Sequence, residues 1–258
     1  MSPKITAIGN RKGGVGKTSV TLGLASGLVS LGQRVCVVDL DPQADITDTL
    51  GGAGDFNIFD VLYAGDMGTL GQAAVPSSWD GIDVVPGSQD LARVDTESLV
   101  GAELRLKAAA QSSVELDAYY HVLIDLPPAL GRLTLNGLIA AHHVVVVTEP
   151  GAYSVRGVAE FLQTVEKVQA APYLNPDLVF SGIIINKVSS PRTAEHKFQI
   201  EQLLEAFGDQ VHEPFLPLRT AMQDSQSGGV PLAKVGTRGA AILSEYFTQH
   251  AKRIHGGN

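Results

Sequence analysis

The sequence predicts an α/β protein with a doubly wound, mostly parallel sheet and helices on both faces. Short β-branched runs alternate along the chain with longer amphipathic stretches. Most of the short runs are continuously apolar, which is typical of parallel strands covered on both faces. With 258 residues, 44% of them hydrophobic and 18% charged, the chain has the composition of a globular protein. No linker or internal repeat divides it, so residues 1–258 are predicted to form a single domain.

The elements follow one another in regular order. A strand opens the chain and leads through a glycine-rich loop into the first helix, and five further strand and helix pairs follow. The stretch 51–74, rich in glycine and aspartate, is predicted to be a connection with a short helix around 59–63. The predicted strands are 4–9, 34–39, 82–85, 122–126, 144–148 and 179–186, and the predicted helices are 18–31, 96–116, 133–141, 154–170, 193–207 and 239–253.

Composition excludes several classes of protein. The longest nearly apolar run, 137–147, is interrupted by His142 and His143 and is shorter than the roughly 20 residues of a membrane span. The opening residues read as a strand and a glycine loop rather than a signal peptide, so we expect a cytoplasmic protein. The single cysteine, Cys36, lies in an apolar run and is expected to be buried. One cysteine forms neither an internal disulfide nor a cysteine metal cluster.

Charge is distributed unevenly along the chain. The first 38 residues carry five basic and no acidic residues, whereas residues 39–150 carry seventeen acidic and four basic ones. The basic opening suggests an anion site. Because the net charge is −8, any binding to nucleic acid must use a local patch.

The strongest motif is the glycine-rich loop after the first strand, where residues 10–18 read NRKGGVGKT and lead directly into a helix. Glycines let successive backbone N–H groups point inward, and the helix adds its positive end, which together cradle phosphate oxygens. Lys17 is then predicted to reach the β and γ phosphates, and the Thr18 hydroxyl to bind Mg²⁺. The predicted phosphate-binding residues are Gly13, Gly14, Val15, Gly16, Lys17, Thr18 and Ser19.

Two acidic segments are predicted at the same end of the sheet. The run VVDLDPQ ends the second strand with Asp39 and Asp41, and the run VLIDLPP ends another strand with Asp125. An acid that closes an apolar strand beside a phosphate loop is typical of a carboxylate that holds Mg²⁺ through water. The three segments together predict a site for a nucleoside triphosphate and Mg²⁺.

These segments resemble the ParA/MinD family of deviant Walker-A ATPases. The resemblance rests on KGGVGKT, DLDPQ and DLPP, and it extends over nearly the whole chain through segments 82–88, 131–136, 217–219 and 229–232. The chain is most similar to the small ParA type that lacks an N-terminal helix-turn-helix domain. The resemblance implies a P-loop NTPase fold, ATP and Mg²⁺ as cofactors, and slow, partner-stimulated hydrolysis.

The resemblance also implies roles for particular residues. Lys12 matches the lysine that reaches the partner's phosphates across a nucleotide-sandwich homodimer. Asp41 is expected to orient the attacking water, with Asp39 nearer the metal. Asn186 matches the asparagine that contacts adenine, and Pro217 lies in a matching nucleotide-binding segment. Where family members continue with Gly-Asn after Pro-Gln, this chain has Ala44 and Asp45, which removes the freedom of a glycine.

Partners are implied in the same way. Small ParA proteins bind DNA without sequence preference as ATP dimers and work with a ParB-like adaptor, which implies a nucleoid-associated protein that segregates or positions a cargo. The matching basic residues are Arg219, Lys234 and Arg238, with Arg192 and Lys197 as weaker candidates.

Two alternatives stay open. One is a MinD-like positioning ATPase that acts on a membrane or a protein scaffold. Residues 244–255 carry few bulky anchors and look like a final docking helix, so no membrane partner is expected. A metabolic ATPase of related fold is the other alternative. Its iron–sulfur versions need cysteine pairs that this chain lacks.

Overall fold

The computed structural model describes residues 2–52, 54–98 and 100–256. Within them the chain forms a sheet of eight strands in the order β3-β4-β2-β5-β1-β6-β7-β8. All neighbours are parallel except β3 and β4, which are antiparallel. The predicted doubly wound sheet is therefore confirmed. The strands are β1 (Lys4–Gly9), β2 (Val35–Asp39), β3 (Val75–Pro76), β4 (Ile82–Val85), β5 (His121–Asp125), β6 (His143–Thr148), β7 (Val179–Ile185) and β8 (Val211–His212).

Helices cover both faces of this sheet. One apolar layer packs under α1, α2 and α11, and the other packs under α3, α5, α6, α7 and α8. Side chains of β1 alternate between the layers, since Ala7 belongs to one and Ile8 to the other. The helices are α1 (Lys17–Ser30), α2 (Asp45–Leu50), α3 (Ile58–Ala64), α4 (Ala92–Thr96), α5 (Arg105–Ala110), α6 (Arg132–Ala140), α7 (Ser154–Ala170), α8 (Ala194–Phe207), α9 (Thr220–Ser227), α10 (Leu232–Val235) and α11 (Arg238–Gly256).

The last helix docks on the first one. Phe247 of α11 is 2% exposed and lies so close to Gly23 of α1 that any side chain at that glycine would overlap its ring. Gly27 allows the same close approach one turn later, against the backbone of Phe247. The predicted docking helix is therefore confirmed. Because α1 carries the glycine-rich loop at its start, α11 braces the element on which that loop is mounted.

One predicted helix is wrong, since residues 96–116 do not form a continuous helix. The helix α4 ends at Thr96, because Glu97 has an extended backbone. Gly101 then adopts a left-handed conformation with φ 60°, which separates α4 from the helical turns that follow. A new helix, α5, starts at Arg105, and Asn136 accepts a hydrogen bond from the Leu106 N–H at 2.9 Å. The helical periodicity of this stretch belongs to several short pieces that pack separately on α6.

Other details agree with the sequence or add to it. The short helix predicted around 59–63 is α3, which begins after a capping box formed by Asn57 and Asp60. Cys36 is buried as expected. His142 has a packing role, because its Nδ1 accepts the Ile5 N–H at 2.9 Å. The sequence did not predict α2, α4, α9, α10, β3 or β8.

No helix in the described part of the chain is long and apolar enough to cross a membrane.

Candidate nucleotide site

The glycine-rich loop joins β1 to α1, and its first residue, Asn10, fixes the start of the loop through hydrogen bonds. Asn10 is buried, its Nδ2 donates to the Val147 carbonyl at 2.6 Å, and its Oδ1 accepts the Lys12 N–H at 3.1 Å. Gly14 and Gly16 have φ of 77° and 88°, a left-handed backbone that disfavours other residues. No side chain caps the start of α1, so its first N–H groups are left for an anion.

This loop forms one wall of an open cavity of about 580 Å³ at the carboxyl edge of the sheet. Here β1, β2 and β5 end side by side, as ligand sites in open α/β sheets do. Six of the seven predicted phosphate-binding residues line this cavity, whereas Val15 is buried behind them. The lining residues are Gly13, Gly14, Gly16, Lys17, Thr18, Ser19, Asp41, Gln43, Asp45, Asp48, Thr49, Pro128, Gln226 and Ser227.

Lys17 brings a positive charge to the floor of this cavity. It is 6% exposed, and burial lowers the pKa of its ammonium group. Asp125 and Asp41 act in the opposite direction and favour the charged form. An ammonium group held between two carboxylates with little water around it is suited to attract phosphate oxygens strongly.

Thr18, at the start of α1, is hydrogen-bonded to Asp125, at the end of β5. The Thr18 hydroxyl donates to Asp125 Oδ2 and the Thr21 hydroxyl donates to Asp125 Oδ1, each at 2.8 Å. Burial, together with the nearby carboxylate of Asp39, raises the pKa of Asp125 to about 7. A buried carboxylate beside a hydroxyl is an all-oxygen donor set of the kind that Mg²⁺ prefers.

Asp39 lies next to Asp125 in the sheet, but its carboxylate is occupied by the chain that follows it. Thr47 donates to Asp39 Oδ2 from its N–H at 2.9 Å and from its hydroxyl at 2.6 Å. The same hydroxyl accepts the Gly87 N–H at 2.8 Å, which ties the ends of β2 and β4 together through α2. Burial raises the pKa of Asp39 to about 6. Neither Asp39 nor Asp125 is among the residues that line the cavity, although Asp125 is bonded to the lining residue Thr18. The metal roles of both carboxylates remain predictions.

Asp41 does line the cavity, two residues beyond the strand. Its Oδ1 accepts the Gln43 N–H at 3.0 Å, which folds the segment into a tight turn. Ala44 follows with φ 56° and ends this turn where α2 begins. The position at which family members have glycine thus has the left-handed backbone that favours glycine.

A second cavity of about 550 Å³ adjoins the first and contains the predicted base-side residues. Asn186 and Pro217 both line it, and their contact with a nucleotide stays a prediction. Gly16, Ser19 and Gln226 line both cavities, and the Ser19 hydroxyl donates to Gln226 Oε1 at 3.3 Å. The two cavities therefore form one continuous groove from the carboxylates to the α9 segment.

Lys12 points away from this groove. Its Nζ lies 2.7 Å from Glu149 Oε1, the side chain is 41% exposed, and it is not among the residues that line either cavity. Lys12 therefore does not serve the phosphates of its own chain in this conformation.

The predicted DNA-binding residues lie near one another but differ in exposure. Arg238 is exposed at the start of α11, and Lys234 is exposed but pairs with Asp80 at 3.1 Å. Arg219 is half-buried against Gly239, and its buried Nε has no hydrogen-bond partner among residues 2–52, 54–98 and 100–256. Of the weaker candidates, Arg192 stacks on the ring of Phe215 at 5.1 Å.

Four residues of the site were not predicted from the sequence. Thr21 and Thr47 hold the two buried carboxylates, Lys187 bonds to the loop carbonyl of Gly14, and Gln226 bridges the two cavities. Only Thr21 carried a usable signal, since it stands one helical turn after Lys17 and faces the same way. The others depend on contacts between segments far apart in the sequence.

These residues fit a nucleotide with Mg²⁺. The groove supplies an uncapped helix start, a buried ammonium group and a hydroxyl–carboxylate pair at one end, and an amide with apolar neighbours at the other. This order matches the order of phosphates, metal and base in a nucleoside triphosphate.

Comparisons with known proteins agree with this assignment. A family model described as an AAA domain matches residues 3–180. The chain is 32% identical over 256 residues to the sporulation initiation inhibitor protein Soj of Bacillus subtilis, covering 97% of this chain and 98% of that protein. It is 36% identical over 228 residues to the chromosome-partitioning ATPase Soj of Thermus thermophilus, covering 88% of this chain and 86% of that protein.

Among solved structures, the chain is similar to cobyrinic acid a,c-diamide synthase of Mycobacterium smegmatis with bound ATP analogue and magnesium. The TM-score is 0.80 at 31% identity, covering 99% of this chain and 97% of that one. The motifs, the sheet order and these matches lead to one assignment. The chain belongs to the AAA-domain family and, within it, to the ParA/Soj-type ATPases with a deviant Walker-A loop.

Proposed function

We propose that this protein is a partition ATPase that binds ATP with Mg²⁺, dimerises around the nucleotide, binds DNA without sequence preference and is released on hydrolysis. The observation that carries the proposal is the meeting of the glycine loop, Lys17, Thr18 and Asp41 around one cavity, with buried Asp125 bonded to the Thr18 hydroxyl behind its wall. The family and the similarity to two Soj proteins support a partition role.

In this proposal the loop N–H groups and Lys17 hold the β and γ phosphates, and Thr18 and Asp125 hold the metal. Bound Mg²⁺ would neutralise charge on the β and γ oxygens. Asp41, which lines the cavity beyond the phosphate loop, orients the attacking water. Asp39 supports the metal side through its place beside Asp125.

Dimerisation is proposed to use Lys12. Its ammonium group is exposed and forms an ion pair with Glu149, and such pairs are worth about 0–1 kcal/mol. Exchanging Glu149 for a phosphate of a second chain is therefore a small cost for the monomer.

DNA binding is proposed to follow dimerisation, because two copies of a modest basic patch are needed against a net charge of −8. Arg238 and Lys234 are the exposed members of that patch, with Arg219 beside them. A ParB-like adaptor would bind the cargo and stimulate hydrolysis, and the protein would be associated with the nucleoid.

The test is binding to a long duplex of arbitrary sequence at one stated salt concentration, with ATP, ADP or no nucleotide, alongside sizing under each condition. We expect both dimerisation and DNA binding to require ATP. Dimers that form with ATP but ignore DNA would contradict the partition role and leave the nucleotide chemistry standing.

Charge reversal assigns the DNA surface. The double variant Lys234→Glu, Arg238→Glu is expected to lose ATP-dependent DNA binding and to keep ATP-dependent dimers. Its matched control is Lys167→Glu, Lys252→Glu, which makes the same change of charge at exposed positions elsewhere. Equal losses in both variants would mean that bulk charge, not this patch, decides binding.

A second candidate is an ATP-dependent ligase of a small molecule, which the likeness to a diamide synthase favours. It predicts turnover that depends on a small co-substrate and is indifferent to DNA. Membrane positioning of the MinD kind is disfavoured, because the apolar face of α11 packs on α1 instead of facing outward.

A further inference from the structure

Two side chains that follow β7 bind two successive carbonyls of the phosphate loop. Asn186 Nδ2 donates to the Val15 carbonyl at 3.0 Å, and Lys187 Nζ donates to the Gly14 carbonyl. Asn186 is 9% exposed and is itself fixed by its backbone, whose N–H donates to the Thr148 carbonyl at 2.7 Å. The loop is therefore tied from outside at two adjacent peptides.

The conformation of Lys187 shows that this contact is imposed. Its φ is 56°, in the left-handed region that lysine rarely adopts. Such a backbone is unfavourable for a residue with a side chain and persists only where the surroundings determine it. Gly16 makes room for the arrangement, because a side chain there would overlap the Asn186 amide and approach the stem of Lys187.

A carbonyl held from one side fixes an N–H on the other. The peptide unit is planar and trans, so the C=O of one residue and the N–H of the next point in opposite directions. Holding the Gly14 carbonyl turns the Val15 N–H away from Lys187, and holding the Val15 carbonyl turns the Gly16 N–H away from Asn186. Both N–H groups belong to the loop that walls the phosphate cavity.

We propose that Lys187 and Asn186 are positioning residues that orient the Val15 and Gly16 N–H groups toward the phosphates. Lys187 also brings a positive charge to the outer side of the loop. This inference rests on the proposed function, since it concerns the phosphate end of the same nucleotide site. It gives Asn186 a task besides the contact with adenine implied by the resemblance.

The test compares Lys187→Met, which keeps the stem but removes the donor and charge, with Lys187→Arg, which restores both. Affinities for ADP with Mg²⁺ and for adenosine are measured by calorimetry. We expect Lys187→Met to lose about tenfold in ADP affinity, the size of one charge-assisted hydrogen bond, with adenosine affinity unchanged. Lys187→Arg should recover most of the loss.

Amide spectra give a second readout. In the nucleotide-free protein, Lys187→Met should shift the ¹⁵N–¹H resonance of Val15 more than that of Ser19, which lies beyond the tied peptides. Lys187→Gly, which suits the left-handed backbone and lacks the side chain, should behave like Lys187→Met toward ADP.

The outcomes separate the two proposals. Equal losses for ADP and adenosine, or no loss for either, would overturn the positioning role. A native protein that binds no ADP at all would instead overturn the proposed function.

Discussion

Ala44 stands where family members have glycine, and its own backbone is in the left-handed region that favours glycine. Ala44 has a φ of 56° and is the last residue of the turn that follows Asp41. An L-residue other than glycine in this region is strained by roughly 1–2 kcal/mol. The strain therefore lies at the start of α2, in the segment that holds Asp39 through Thr47.

Replacing Ala44 by glycine is expected to stabilise the protein. Relief of the left-handed strain exceeds the extra entropy that glycine gives to the unfolded chain, so the free energy of unfolding should rise by about 0.5–1 kcal/mol. Urea denaturation without nucleotide measures it. Ala241→Gly, at an exposed position inside α11, is the control and should cost about 1 kcal/mol. A loss of stability in both variants would show that Ala44 is not strained.

At the scale of residues, the sequence predicted the chemistry better than the contacts. Short local patterns made two features recognisable from the sequence: the loop 10–18 and the acids that end β2 and β5. Thr47 and Lys187 were not recognisable in this way, because their partners are decided by how the chain returns to the sheet edge. Local patterns carry no information on that return.

At the scale of elements, the interface of α1 with α11 is the place where one side chain matters most. Phe247→Ala would leave a cavity against Gly23 and should lower the free energy of unfolding by about 3–5 kcal/mol. Gln249→Ala, on the exposed side of the same helix, should change it by less than about 0.5 kcal/mol. Chemical denaturation of both variants checks this, and similar small effects would mean that α11 is not docked as described.

The same helix makes stability depend on acid. Burial, with smaller effects of His212 and Arg253, lowers the pKa of His250 to about 4, whereas an unfolded histidine titrates near about 6.5. Below about 6.5 the unfolded chain takes up this proton and the folded chain does not. The contribution of His250 to stability is therefore complete above that pH and is lost as the pH falls toward about 4.

The pH dependence of a His250→Gln variant isolates this group. Between pH 6.5 and 5, the free energy of unfolding of the native protein should fall more steeply than that of the variant, by up to about 1.4 kcal/mol per pH unit. Each protein is measured by urea denaturation across the range. Parallel curves would show that His250 is already protonated in the fold or titrates normally.

Elements were predictable where they were long and apolar on one side. The six predicted strands all exist, whereas β3 and β8 have two residues each and leave no periodic trace. For residues 96–116 the periodic pattern was present, but the prediction of one continuous helix was wrong. Its apolar residues recur at helical spacing, yet the left-handed Gly101 and the cap from Asn136 divide it.

At the scale of the whole molecule, the Lys12–Glu149 pair is expected to govern assembly. Lys12→Ala should abolish ATP-dependent dimers, because the ammonium group that would reach the partner's phosphates is gone. Glu149→Gln keeps Lys12 and removes only its present partner, so dimers should form at least as readily. Both variants should match the native monomer in stability within about 1 kcal/mol, since the pair is exposed.

Sizing with ATP, ADP and no nucleotide measures the effect. Normal ATP-dependent dimers of Lys12→Ala would contradict the role of this lysine in the interface. Loss of dimers in Glu149→Gln would assign the interface to the carboxylate instead.

The long reach of the phosphate loop's contacts also has a meaning for synthesis on the ribosome. The loop emerges early, but the carbonyls of Gly14 and Val15 find their side-chain partners 173 and 171 residues later. The Thr18 hydroxyl likewise waits 107 residues for Asp125. The phosphate loop is therefore synthesised long before the residues that complete its pocket. Nucleotide binding is therefore expected only late in synthesis. An incomplete chain, which lacks the complete pocket, is not expected to form the ATP-dependent dimer.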